Sequence, residues 1–247
     1  HAHVDAEIDT TGIAHCVADA DIDKIEYKGY SYQQIHLDGE LLPEEVSGSL
    51  SVDDDNIRLK ISGLADWSED DTRLDITARL SDFEPAALNL LDQYPALSLG
   101  VTTYVSLYTS GKRAEMLDNM TGYVIVDSLQ VQNGEKFTMM EQFKLLVDRE
   151  LDGVENRRQL RVQSDYLTAN VSGDFSYRTL PATVQGLLHA YVPTLVNKPE
   201  AVKRATNNLD FYAYFRGLDS ISEVLDLSVT LPSFPTIKGY IHEKHSR

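Results

Sequence analysis

Apolar and polar residues alternate along most of this chain. Ile57, Leu59 and Ile61 are interleaved with Arg58, Lys60 and Ser62, and Leu74, Ile76, Ala78 and Leu80 with Asp75, Thr77 and Arg79. Leu145 and Val147, Leu160 and Val162, and Leu227, Val229 and Leu231 keep the same period. Successive side chains leave a strand on opposite sides, so a period of two predicts strands with one apolar and one wet face. Turn chemistry separates them at Asp53-Asp54-Asp55-Asn56, Asn133-Gly134 and Asp152-Gly153. Such residues tolerate the positive φ of tight hairpins, which makes the connections antiparallel. The pattern predicts about a dozen strands, most of about 5–8 residues.

Three short helices are expected between them. The first lies near 83–93, with Asp82 as its cap, Pro85 in its first turn, Leu88, Leu90 and Leu91 facing inward, and Pro95 as its stop. The second lies near 180–192, capped by Thr179, with Val184, Leu187, Leu188, Tyr191 and Val192 on one stripe. Ser220 and Glu223 have the spacing of a capping box for a third. The stretch 193–206 reads as a linker with a further short helix at 200–204. It divides a β section over 1–192 from the start of another over 207–247. Ser47-Gly48, Thr121-Gly122 and Ser172-Gly173 begin similar alternating runs at irregular intervals, too irregular for a fixed-repeat solenoid. Glycines so placed mark bulges and bends, so the expected fold is all-β: one long curved antiparallel sheet with two or three short helices.

Charge narrows the partners. The 247 residues include 39 Asp and Glu against 22 Lys and Arg, a net charge of −17. This balance argues against nucleic acid, whose binding needs a cationic surface, and against docking on an anionic membrane. The single Cys16 can form no disulfide within the chain, so cysteine usage does not fix the compartment. No run approaches the apolar length of about 18 residues that a membrane-spanning helix needs. The chain opens on His1 with Val4 already strand-like, which suggests a section of a longer protein.

Few residues invite chemistry. His242 and His245 are three apart, whereas the zinc-protease signature needs four on a helix, so they read as a solvated tail. His1 and His3 have no third ligand nearby in sequence. His15 and Cys16 are neighbours on a strand and point to opposite faces, so they cannot pair as base and nucleophile. Asp53-Asp54-Asp55-Asn56 lacks the glycine and distal Glu of a calcium loop and reads as a solvated turn. No phosphate loop, serine elbow or dinucleotide fingerprint is present. The expectation is a non-enzymatic protein without cofactor or metal.

The order of several elements resembles the TamB/AsmA-like family, translocation and assembly module proteins of the Gram-negative envelope. The run 160–181, which contains Ser164-Asp165-Tyr166 and Ser172-Gly173-Asp174-Phe175, is similar, as is the helix after it ending at Tyr191-Val192-Pro193. Ser81-Asp82-Phe83 with 84–91 resembles the family's connector element, and Thr121-Gly122-Tyr123 its glycine-started strand. The similarity covers most of 29–197 and, more loosely, 207–241. It implies a β-taco, a U-shaped sheet with an apolar lumen, in a periplasmic section of a protein anchored in the inner membrane. It also implies roles in lipid transport between membranes and in outer-membrane protein biogenesis. The family's outer-membrane barrel partner, of the barrel-insertase family, would be met through parts outside this chain.

Under that resemblance the lumen would be lined by Ile57, Leu59, Ile61, Leu74, Ile76, Val124, Val126, Leu145, Val147, Leu160 and Val162, holding a phospholipid or a nascent outer-membrane β-strand. Two other readings stay open. One is a surface carbohydrate-binding or adhesive β-solenoid, which requires aromatic and acidic residues gathered on one face. The other is a purely structural β-sandwich, whose apolar faces cover one another.

Overall fold

The computed structural model describes residues 2–9, 12–67, 71–111, 115–152, 155–191, 197–198, 207–216, 219–225 and 236–242. Alternation takes the chain into β1 (Ala2–Asp9), β2 (Gly12–Tyr27), β3 (Tyr30–Leu42), β4 (Glu45–Asp54), β5 (Ile57–Trp67), β6 (Asp71–Phe83) and β7 (Leu97–Ser110). It continues through β8 (Thr121–Asn133), β9 (Lys136–Asp152), β10 (Glu155–Ser164), β11 (Leu167–Asp174), β12 (Asn208–Phe215) and β13 (Thr236–His242). All thirteen form one open antiparallel sheet in which every strand lies beside its neighbours in sequence.

Most strands run well past the expected 5–8 residues, β2 to 16 and β9 to 17. Bulges carry them through places where the alternation lapses. Between β6 and β7 the register shifts after Leu80, and Asp82 takes φ 52. The extra residue returns Phe83 to the face that Leu80 occupies, and both pack into one cluster. Between β7 and β8 the register shifts again beside Ser128, whose φ is 53. Asp82 is therefore a bulge residue rather than a helix cap, and its carboxylate accepts from Arg58 at 2.8 Å.

Two-residue loops close several hairpins. Lys28 and Gly29 both have positive φ, 50 and 77, as a type I′ turn requires. Asn133 and Lys136 pair as strand residues, so the loop is Gly134 and Glu135, one position later than the Asn-Gly signal suggests.

The helix expected near 83–93 is a single turn. Leu88 N–H donates to Glu84 O at 3.2 Å, Asn89 N–H to Ala86 O at 3.0 Å and Leu90 N–H to Pro85 O at 2.8 Å. With Asn89 at φ 58, this is a Schellman closure, and it stops the helix after one turn. Helix α1 (Leu180–Tyr191) occupies the second expected position. Thr179 stands directly before it: its carbonyl accepts from Thr183 N–H at 3.1 Å, and its hydroxyl donates to Ser176 O at 3.3 Å and Asn207 Oδ1 at 3.1 Å. Helix α2 (Asp219–Val224) includes Ser220 as its second residue, so the capping-box reading fails there. Within 193–206 only residues 197 and 198 are described, so the expected linker and the helix at 200–204 fall outside the described residues, as does the strand at Leu227–Leu231. The sheet carries on across that stretch, because β12 pairs with β11 from Leu167 opposite Phe215 to Asp174 opposite Asn208. β12 and β13 continue the same sheet as β11.

The buried hydrophobic clusters sit at the margins. At one margin Leu88 is fully buried against Val52 and Ile57, and Val224 of α2 is buried with Leu97 and Val131. At the other, Phe175 and Asn207 are almost fully buried. Asn207 Nδ2 donates to Thr183 Oγ1 at 2.7 Å, and its Oδ1 accepts from Ser176 N–H at 3.0 Å, fastening the start of β12 to α1. Arg158 secures the same margin by donating to Asp118 O and Phe175 O at 2.7 and 2.6 Å.

Leu88→Ala should cost about 2–5 kcal/mol in urea unfolding, the usual range for emptying a buried leucine site. Tyr177 packs edge-on to Phe175 with its hydroxyl buried and without a hydrogen-bond partner, and burial pushes its pKa up to about 12. The folded state thus prefers the neutral phenol, and stability present below pH 10 should fall as pH rises toward 12. Tyr177→Phe should be neutral or stabilising by about 1 kcal/mol at pH 8 and flatten that alkaline loss. Denaturation midpoints at pH 8 and pH 11 read both effects.

Candidate functional site

Register decides which side chains share a face. One line of cross-strand partners runs Cys16, Leu41, Val46, Ala65, Leu74, Leu107, Gly122, Val147, Leu160, Val171, Phe211 and Gly239. The next line on the same face runs Ala18, Gly39, Gly48, Gly63, Ile76, Val105, Val124, Leu145, Val162, Ala169, Ala213 and Ile237. From β2 to β13 neither line contains a charged or hydrogen-bonding side chain other than the Cys16 thiol. Of these residues only Val147 is buried; the others are half-buried or exposed. A sandwich core would bury them, so among the described residues no second layer covers this apolar face.

On β2–β6 the face sinks into a recess of about 600 Å³, with Leu37, Leu41, Leu50, Ile61, Leu74 and Ile76 among its walls. Its floor is glycine: Gly39, Gly48 and Gly63 are cross-strand partners on three successive strands. A Cβ on Gly48 would lie 2.4 Å from Asp38 O and 2.8 Å from the Gly39 Cα, and one on Gly63 2.8 Å from Asp75 O. Backbone, not a movable side chain, excludes every larger residue there. Space that side chains fill elsewhere on the sheet is left open here.

All eleven residues expected to line a groove lie on this face. Leu74, Val147 and Leu160 belong to the first line, Ile76, Val124, Leu145 and Val162 to the second, and Ile61 and Val126 to a third beside it. Leu59 and Ile57 lie farther along β5 at the margin, in the cluster that Leu88 covers, so they belong to the covered end of the face.

The opposite face is polar. One of its lines reads Asp19, Asp38, Ser49, Ser62, Thr77, Tyr104 and, after Ile125, Lys144, Gln163 and Thr168. Tyrosines on this side fall in two groups: Tyr104, Tyr108 and Tyr123 on β7 and β8, and Tyr212, Tyr214 and Tyr240 on β12 and β13. On β9–β11 between them the corresponding positions hold Lys144, Leu146, Arg161, Gln163, Thr168 and Asn170, so the tyrosines form no single aromatic platform.

The sequence candidates for chemistry resolve into structural pairs. His15 meets Glu40 at 2.7 Å on the polar side, while Cys16 stands half-buried in the apolar line. The turn at Asp53–Asn56 is not wholly solvated, because Asp54 is 5% exposed. Its carboxylate accepts from the Tyr30 hydroxyl, from Gln33 N–H at 3.0 Å and from Asn56 N–H at 3.1 Å. His242 is exposed on β13, and residues 243–247, with His245, lie outside the described residues, as does His1. One grouping was invisible in sequence: Asp19, Asp21 and His36 converge with their ligand atoms within 4.8 Å of one another. His36 Nδ1 lies 2.9 Å from Asp21, and that hydrogen bond raises the imidazole pKa, which favours a histidine–carboxylate pair. Only pairing of β2 with β3 brings these residues together, so no local motif could have announced them.

Comparison with models of protein families, with curated proteins and with solved structures finds no match to this chain.

Gly48→Val tests the glycine floor. Its side chain would meet backbone at 2.4 Å, so the variant should lose about 1–3 kcal/mol through overpacking. Urea unfolding measures this, with Gly100→Ala as a comparison, since a Cβ at Gly100 meets nothing closer than 3.7 Å and its φ is an ordinary one.

Proposed function

We propose that this chain is a non-enzymatic section of a periplasmic bridge, whose apolar face shields lipid acyl chains, or a nascent outer-membrane β-strand, in passage. The observation that carries the reading is the pair of uninterrupted apolar lines across twelve successive strands, accessible along most of their length. Soluble proteins seldom expose so continuous an apolar surface unless something binds it. Each CH₂ kept from water is worth about 0.8 kcal/mol. A long acyl chain therefore crosses an aqueous gap most readily along a track without polar breaks, and such a track needs no specific contacts.

Resemblance to the TamB/AsmA-like family supplies the setting. Under it the chain would be a periplasmic section of a protein anchored in the inner membrane and working with an outer-membrane barrel through other parts. The finer shape, a U-shaped β-taco with the apolar lines inside, draws support from the glycines, since interior strand glycines recur where sheets bend tightly.

Leu74→Arg would put a cation among the walls of the recess. Native mass spectrometry of the purified chain should show bound phospholipid in the wild type and much less in this variant. Wild-type protein carrying no lipid, or a variant carrying as much, would sink the reading. Small-angle scattering tests the shape, because an elongated section has a far larger maximum dimension than a closed sandwich of equal mass.

A further inference from the structure

The polar face holds one arrangement that the groove does not use. Lys60 on β5 and Arg79 on β6 are direct cross-strand partners. Like charges set opposite each other on a sheet destabilise it. The chain has a net charge of −17, so carboxylates to separate or neutralise them are plentiful. Arg58, Arg73, Arg157, Arg158 and Arg161 each meet an aspartate. Among the described residues no ion pair reaches Lys60 or Arg79. Arg79 makes a long contact, its Nε donating to the hydroxyl of buried Thr102 at 3.5 Å.

Around the two cations the face dips into a recess of about 450 Å³, and Ser51, Ser62, Thr77, Thr102 and Tyr104 bring hydroxyls to its walls. The carboxylates nearest along these lines lie outside the recess lining. Asp38 accepts from the Ser49 hydroxyl, and Asp127 is the β8 partner of Thr102.

We propose that this recess binds a tetrahedral oxyanion, a phosphate group either free or at the end of an ester. Two adjacent cations match its double charge. Several convergent hydroxyls suit a group with three or four acceptor oxygens better than a carboxylate, which has two. The repulsion between Lys60 and Arg79 persists in the empty site and is relieved on binding. The site lies on the face opposite the apolar lines and does not depend on what they carry.

Thermal unfolding of the purified chain in chloride and in phosphate at matched ionic strength tests this. Phosphate should raise the wild-type midpoint above its value in chloride, in proportion to occupancy. Arg79→Gln should raise the midpoint in chloride, because the like-charge pair is gone, and bind phosphate about tenfold or more weakly. Lys144→Gln, on the same face outside the recess, should keep the full phosphate response. The site is overturned if chloride reproduces the wild-type shift, or if the phosphate shift survives in Arg79→Gln. Co-sedimentation with phosphatidylcholine vesicles, with and without phosphatidic acid, distinguishes the sources. Pelleting that needs phosphatidic acid and Arg79 assigns the headgroup of a lipid. A phosphate shift without pelleting assigns a free ion or small ester, and neither response overturns the proposal.

Discussion

Backbone pairing in constant register is the constraint on which everything else in this protein rests. Across the centre of the sheet each strand meets the next without a slip, so side chains of one parity stay on one side for twelve strands in succession. A slip of one residue at any ladder would send the remaining aliphatics to the wet side. Beyond the shift between β1 and β2 at Glu7 and Ile8, the register shifts at Asp82 and Ser128, both toward the margin. An apolar surface that no second layer among the described residues hides is thus specified by hydrogen bonding along the strands rather than by a jigsaw of core side chains.

That division of labour explains what could be read in the sequence. The alternation of Ile57 to Ile61 or of Leu74 to Leu80 reports which residues share a face, and it does so locally. How far each strand extends is not local, because a bulge at Asp82 or Ser128 lets pairing outlast the pattern. The segment around Leu88 carries helix signals at both ends, yet Asn89 in the left-handed region ends it after one turn. Its purpose is to deliver Leu88 to the margin of the sheet. Pairings such as His36 with Asp21 and Lys60 beside Arg79 depend on which residue falls opposite which. Periodicity is silent on that.

The margins and the middle of the sheet hold together by different means. Leu88, Val224 and Phe175 provide the sealed clusters, while Asn207, Arg158 and Asp54 tie loops to strand ends through hydrogen bonds. Between these sealed ends the sheet relies on its ladders and on aliphatic contacts that remain half open to whatever lies over them. The acidity of the chain is consistent with this plan, since turns and the polar face keep the Asp and Glu side chains hydrated.

The strictly sequential strand order also governs how the chain reaches this state. Each strand's ladder partner is either already made or the next to emerge, so most ladders close over a short loop. Folding can propagate like a zipper, one hairpin at a time, and stability approximates a sum of nearest-neighbour terms. A chain threaded through a pore from either end could thus form its sheet progressively, without waiting for a distant segment to arrive. Pulled from an edge, it would yield strand by strand rather than in one cooperative rupture.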